Sequence, residues 1–417
     1  MTATPGRSIL REPAFGLIWF IQASTQVGGN MALYALTILV FATTRSNAAV
    51  SALVMSYLIP TILLSAVAGV LVDRLDVRWA LIVPNVVRTL LTLGLAMAGA
   101  NVGVLLVLNL GISLTTVVLT PAEAAMIPRI VPTSQLETAM GIFNLTLQAS
   151  FAAGFAFLGP LLVAVAGPSF VLGVVTVFYF AATLATLALP SAPPVATEPG
   201  AGRAIQDRIR QMGDGLATIR GNREVSRPLL HLAGAASLVG VLGVLGPNLA
   251  ASLGLDPKDL IVVVLPLGLG IIAGVVGLRR FGGRLPRRRA GEAGLILFGL
   301  LAAAVALVAM ARHLTDLSPI PLVVLLAFGA GAAYAATSVS AQTALFENMP
   351  AGVRGRVFGV LASIVSATSL VPILIAGPLA DRISGPLVIA VAAAGVVGVA
   401  AASATLLGPR GSEPRTV

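Results

Sequence analysis

Along this chain, long apolar tracts alternate with short polar breaks. Stretches free of Asp, Glu, Lys and Arg run over 13–44, 46–72, 89–122, 138–197, 228–255, 260–278, 293–311, 317–346, 357–380 and 383–409. A bilayer-crossing helix needs about 20 apolar residues, so each tract holds a span and 138–197 holds two. One more span runs from Trp79 to Gly99 with Arg88 inside it, which makes twelve. Arg7 and Arg11 precede the first span as they would a signal peptide, but its length and the eleven spans that follow predict that it is retained.

Composition agrees with the pattern. Hydrophobic residues make up 57% of the chain and charged residues 10%, and the mean hydropathy is +0.98, outside the range of soluble domains. The expected fold class is an all-α integral membrane protein. With the N-terminus inside, all of the 26 basic residues except Arg45, Lys258, Arg312, Arg382 and the intramembrane Arg88 fall on the cytoplasmic side. Both termini are therefore expected in the cytoplasm. The same asymmetry accounts for the net charge of +10 without nucleic acid, because basic loops lie against anionic lipid headgroups. There is no cysteine, hence no thiol chemistry and no disulfide.

The longest hydrophilic stretch splits the spans six and six. This predicts an N-terminal bundle over 1–190, a cytoplasmic linker over 191–227 and a C-terminal bundle over 228–417. Within the linker, Ile205, Ile209, Met212, Leu216 and Ile219 recur at helical steps with arginines between them, the pattern of an amphipathic surface helix; Gly213 and Gly215 weaken it, and an irregular linker is the alternative. The halves also repeat. Pro132, Gly141, Gly159, Pro160, Gly167 and Pro168 recur 218 residues later as Pro350, Gly359, Gly377, Pro378, Gly385 and Pro386. Because Pro and Gly fix backbone behaviour, the recurrence marks equivalent bends and turns, and a repeated bundle suggests a pseudo-symmetric transporter with its site near the midplane.

Polar residues inside apolar spans mark the candidate site, since an amide in hydrocarbon is costly unless it faces protein or water. Helix 1 places Gln22, Gln26, Asn30 and Tyr34 at steps of four. Helix 4 forms a like stripe at alternating steps of four and three with Asn109, Ser113, Thr116, Thr120 and Glu123; helix 5 adds Asn144 and Gln148, and helix 10 adds Tyr334 and Ser338, 218 residues after Thr116 and Thr120. These stripes either face a substrate cavity or hold helices together. Glu123 is the one carboxylate on such a stripe and the candidate for carrying a proton, with pairing to Arg129 or Arg88 as the alternative. Arg88 either pairs within the protein, snorkels or binds a ligand. The glycines of 268–274 read as close helix packing.

The turn after the second span reads GVLVDRLDVR, residues 69–78. It resembles the signature loop of the major facilitator superfamily, G-x-L-x-D-R-x-G-R-[KR]. Gly69, Leu71, Asp73, Arg74 and Arg78 match, while Asp76 stands in place of the second glycine and Val77 in place of a basic residue. The resemblance implies two pseudo-symmetric six-helix bundles, a cavity lined by helices 1, 4, 7 and 10, and a cytoplasmic gate at Gly69, Asp73, Arg74 and Arg78. PAEAAMIPRIVP (121–132), LETAMGIFN (136–144) and RGRVFGVLAS (354–363) look like the macrolide-efflux and enterobactin-exporter branch of bacterial inner-membrane carriers. PNVVR (84–88) is similar to that branch's D-x-x-R stretch, with Asn85 in the acid's place, and LGPLL (158–162) echoes an antiporter motif without its terminal glycines. Helix 4 lacks the arginine that proton-coupled drug antiporters usually carry.

These residues narrow the function. An ATP-driven pump needs a phosphate-cradling lysine after a glycine loop, and the only lysine is Lys258 in LDPKD. An enzyme would need metal ligands or an acid–base set, yet the only histidines, His231 and His313, lie at opposite ends of different spans. Expected instead is a monomeric secondary transporter with no cofactor and no bound metal. It moves a small molecule, probed by neutral amides and hydroxyls, outward by alternating access, with protons as the candidate coupling ion. Uptake of a small solute and a non-transporting, permease-like sensor are the alternatives.

Overall fold

The computed structural model describes residues 9, 12–193, 223–281, 287–312, 318–347 and 354–406, and among them it is helical with short turns. The first six rods are α1 (Pro13–Thr44), α2 (Asn47–Arg74), α3 (Val77–Met97), α4 (Val102–Ile130), α5 (Leu136–Ala166) and α6 (Pro168–Leu187). Six more follow: α7 (Arg223–Ser252), α8 (Ile261–Phe281), α9 (Arg287–Ala311), α10 (Ile320–Glu347), α11 (Arg354–Arg382) and α12 (Gly385–Leu406). Eleven of the described helices are long and apolar enough to cross a membrane. The rod not among them is α11, whose first residues, including the stretch RGRVFGVLAS, have side chains outside the described set. The linker segment predicted to be an amphipathic helix also lies outside the described residues.

Local chemistry sets the rod ends. Ser46, Asp76 and Asn101 each sit at an N-cap in extended conformation and accept a hydrogen bond from a first-turn amide, at Ala49, Arg78 and Val104. Gly167, with φ +82°, makes the tight turn from α5 into α6, a conformation that only glycine takes without cost. Its repeat partner Gly385 opens α12.

One rod is not a regular helix. Within α5, Leu136–Phe151 is α-helical, Ala152–Leu158 widens into a π-helix, and Gly159–Ala166 returns to α. The wide turn lies against α1. A Cβ on Gly154 would lie 2.5 Å from the Val27 carbonyl oxygen and 2.8 Å from Asn30 Cβ, and one on Gly159 would lie 3.1 Å from Tyr34 Cβ. Glycine at both positions therefore lets α5 touch the polar stripe of α1. The residue 218 positions after Gly154 is Pro372, so the same place in the repeat is a backbone exception in both halves, reached by different chemistry.

The chain divides into two compact units. One runs from the N-terminus through α6 and takes in the short turn Asp256–Ile261; the other comprises α7 as far as Leu255 and everything from Val262 onward. The core of the first unit gathers Phe15, Ile18 and Ile21 of α1 with Leu81 of α3, Met126 and Ile127 of α4, and Phe143 of α5. That of the second gathers Leu238, Leu295, Phe298, Ala330, Ala333, Ala393 and Ala400, a small-residue core that lets α7, α9, α10 and α12 approach closely. In the same unit, α8 and α10 meet backbone to backbone: a Cβ on Gly270 or Gly274 would strike the carbonyl of Phe328 or Ala332. The glycines of 268–274 thus serve close packing, at Gly270 and Gly274. The outward faces carry large apolar side chains such as Leu63, Leu90, Val107 and Leu325, each more than 60% exposed, as a lipid-facing surface requires.

Candidate functional site

Three polar seams organise the first unit. Between α2 and α4, Asn109 Nδ2 donates to the Leu53 carbonyl at 3.1 Å and to Ser56 Oγ at 2.9 Å. One turn on, the Ser113 hydroxyl donates to the Tyr57 carbonyl and lies 3.3 Å from Thr61 Oγ1. Between α3 and α6, the Thr89 and Thr183 hydroxyls meet at 3.3 Å, and Asn85 Nδ2 reaches Thr186 Oγ1 at 3.4 Å. Between α1 and α5, Gln22 Nε2 donates to the Phe143 carbonyl at 3.0 Å, and Trp19 Nε1 to Thr146 Oγ1 at 2.9 Å.

The predicted stripes therefore divide. Gln22, Asn109 and Ser113 are buried and spend hydrogen-bonding groups on a neighbouring helix, while buried Thr116 donates to its own Ile112 carbonyl. Tyr34 is buried against Phe155 in an edge-on ring contact at 5.5 Å. Gln26 and Asn30 are half-buried, and Asn30 Nδ2 donates to the Gln26 carbonyl along α1. Asn144 is exposed, its amide on the Met140 carbonyl. The side chain of Gln148 is outside the described set. In the second unit Tyr334 and Ser338 are half-buried, and Tyr334 stacks edge-on with Phe298 at 5.6 Å.

A buried charged centre lies inside the first unit. Arg88 is 3% exposed, and its guanidinium carbon stands 4.3 Å from the centre of the Tyr179 ring. A stacked tyrosine face is one of the few apolar surfaces that attracts a cation. Room for the pair comes from the Gly28–Gly29 doublet of α1: a Cβ on Gly28 would lie 3.0 Å from Tyr179 Cε1, and one on Gly29 would lie 3.3 Å from Arg88 Nη2. Arg88 thus stays inside the bundle instead of snorkelling. Glu123 of α4 is 1% exposed, with Thr25 Oγ1 3.4 Å from its Oε1. The same hydroxyl lies nearer the Gln22 carbonyl, at 3.1 Å, so its hold on the carboxylate is weak. Arg88 is the cation whose field reaches Glu123. Arg129, the other expected partner, donates instead to the carbonyls of Ala192 and Pro193.

At the α2–α3 turn, Gly69 is buried within α2, and Asp73 and Arg74 are exposed on its last turn. Arg78 places its guanidinium on the Leu187 carbonyl at the end of α6. Asp76 caps α3 and also accepts from Ser191 Oγ at 2.8 Å and from the Ala192 amide at 3.2 Å. In the second unit, Arg227 and Glu292 form an ion pair at 2.6 Å, and His231 Nε2 lies 2.9 Å from Ser403 Oγ. Among the described residues no three of His, Cys, Asp and Glu gather as a metal would require.

A family model described as the Major Facilitator Superfamily matches residues 18–372. The chain belongs to this superfamily.

Solved structures of superfamily-fold transporters agree. A mutant of the nucleoside transporter NupG is 15% identical, covers 95% of this chain and 100% of its own, and superposes with a TM-score of 0.72. A mutant of the peptide transporter POT is 16% identical, with coverage of 96% and 95% and a TM-score of 0.71. A POT family transporter in complex with 5-aminolevulinic acid is 12% identical, with coverage of 93% and 94% and a TM-score of 0.69. At these identities the likeness concerns the fold. No curated protein sequence matches the chain. A superfamily transporter implies a small-molecule substrate, a multi-pass membrane setting and a function that is not enzymatic. Sequence reasoning did not single out Thr25, Tyr179 or the tie between Asp76 and Ser191. The Gly28–Gly29 doublet was the available signal for Tyr179, since adjacent glycines inside a span mark a close approach.

Proposed function

We propose that this superfamily member is a secondary active exporter of bulky, mostly neutral amphipathic molecules of the drug-like or siderophore-like kind, working by alternating access in a bacterial inner membrane with both termini cytoplasmic. The observation that supports it is the character of the accessible polar groups. Gln26, Asn30 and Asn144 in the first unit, and Tyr334 and Ser338 in the second, are amides and hydroxyls that retain exposure, with no charge among them. Neutral groups on an apolar wall suit an amphipathic ligand, whereas a small ionic solute needs charged recognition. Glu123 is the proposed proton carrier: the carboxylate is buried and weakly held, so it has few competing bonds to break on taking up a proton. Gly69, Asp73, Arg74 and Arg78 are the proposed gate, with exposed Asp73 as the group that makes and breaks a latch.

The test is expression in a bacterial host stripped of its own efflux pumps, followed by a panel of toxic compounds and siderophores. Raised resistance to a set of bulky amphipathic compounds is expected, and equal sensitivity with and without the protein across the panel contradicts export. The likeness to nucleoside and peptide transporters favours a second reading, movement of a small polar solute. Counterflow of labelled nucleosides or dipeptides into proteoliposomes, with no drug resistance, would establish that reading instead.

A further inference from the structure

We propose that Asp76 is a positioning residue that docks the start of the interbundle segment, Ser191–Pro193, onto the α2–α3 turn, so that the chain leaves the first bundle from a fixed point. The signature loop has a glycine at this position, and glycine has no side chain with which to do this. Here the carboxylate is shared between two tasks. Oδ1 accepts from the Arg78 amide at 2.9 Å, which caps α3, and from the Ala192 amide at 3.2 Å; Oδ2 accepts from Ser191 Oγ at 2.8 Å. The next residue closes the contact in the other direction, with the Val77 amide donating to the Ala192 carbonyl at 3.0 Å. Arg129, in the last turn of α4, donates to that carbonyl at 2.8 Å and to the carbonyl of Pro193.

Burial supports the polar contacts. Leu189 and Ala192 are 2% and 4% exposed and belong to the same apolar cluster as Val77, Met126, Ile127 and Val131. A segment beyond a helix end ordinarily satisfies its backbone with water. This one is held by the α2–α3 turn, α3 and α4 at once, two of the contacts to the carboxylate and two to a guanidinium. Charge-assisted bonds of this kind are about twice as strong as neutral ones. Partial desolvation works against the ionised form of Asp76, but the Ser191 hydroxyl, the Arg78 and Ala192 amides and the Arg129 charge outweigh it and hold the carboxyl below its usual range. A depressed value means that docking is complete above the ordinary carboxylate range and is lost only as pH falls through the lowered one. It is therefore in place throughout the physiological range.

The experiment is hydrogen exchange on the full-length protein in nanodiscs, followed over 188–193 and over α3. Asp76→Ser keeps a capping oxygen for α3 but is too short to hold Ser191 and Ala192 as well; Asp76→Gly restores the signature glycine; Ser191→Ala removes only the donor on the far side. Exchange at 188–193 should rise about tenfold or more in Asp76→Ser and Asp76→Gly, since each lost charge-assisted bond is worth that factor, and less in Ser191→Ala. Protection within α3 should stay at the wild-type level in Asp76→Ser. Arg129→Gln, which leaves Asp76 intact, should also raise exchange at 188–193. The chain has no cysteine, so spin labels on Cys introduced at Trp79 and Pro193 report the docked distance directly. It should be narrowly distributed in the wild type and broad in Asp76→Ser. Wild-type exchange at 188–193 in both Asp76 variants overturns the proposal. So does an equal loss in α3 and 188–193 in Asp76→Ser, because the contact to the segment would then not be separable from the helix cap.

Discussion

Replacing Glu123 by glutamine removes one ionisable group from the first bundle and almost nothing else. Gln is isosteric, keeps an oxygen where Thr25 Oγ1 approaches at 3.4 Å, and fits a site that is 1% exposed. What changes is the balance with Arg88, whose charge acts on Glu123. Leaving a buried arginine without its acid costs about 3–5 kcal/mol where the two form a tight pair. Here Arg88 acts on Glu123 through its field, not as a tight ion pair, so the cost lies below that range. A net loss of about 1–3 kcal/mol is therefore expected, small enough for a folded protein to be purified. The effect on coupling is larger. If one proton moves per substrate, each unit of pH gradient supplies about 1.4 kcal/mol and supports about tenfold accumulation. Proteoliposomes with an imposed gradient of one pH unit and a fluorescent, uncharged amphipathic compound as probe should show that accumulation in the wild type. Glu123→Gln should show none, while equilibrating the probe without a gradient and binding it with unchanged affinity. Tenfold accumulation persisting in the variant refutes Glu123 as the carrier. A wild type indifferent to the gradient refutes proton coupling itself.

Asp73→Asn should insert normally yet slow transport by about tenfold, the factor expected when a charge-assisted bond of about 1.4 kcal/mol becomes neutral; wild-type turnover at equal expression would remove the latch role. Leucine at Gln26 or Asn30 should re-rank the compounds against which the protein protects, and identical resistance profiles for both variants would return these amides to helix packing. Two glycine substitutions should separate by what their new methyl meets. Gly270→Ala drives a Cβ into the Phe328 carbonyl, a backbone atom that cannot rotate away, and should destabilise by about 3 kcal/mol in detergent unfolding. Gly29→Ala meets only the tips of Arg88 and Tyr179 at 3.3 Å and should cost under about 1 kcal/mol; equal losses for the two would contradict the packing account.

Hydropathy alone determined that this chain is a membrane protein with twelve helical rods, because an apolar tract in hydrocarbon has to satisfy its backbone within itself, which makes it a helix whatever its neighbours do. The repeat was equally legible, since Pro and Gly act on their own backbone. The signature turn placed Asp73, Arg74 and Arg78 correctly at a helix junction for the same local reason. Periodicity also showed that Gln22, Asn109 and Ser113 share faces with their stripe-mates, but a stripe records only that a face is polar, not what lies opposite. Only the tertiary structure set Asn109 and Ser113 on α2, Gln22 on α5 and Arg88 on Tyr179, and only it brought Ser191 to Asp76 across 115 residues of chain. A hydrogen bond can be satisfied by any helix that comes within reach. Which helix does so is fixed by the packing of small residues such as Gly28, Gly29, Gly154 and Gly159, whose effect depends on the partner's shape rather than on their own sequence.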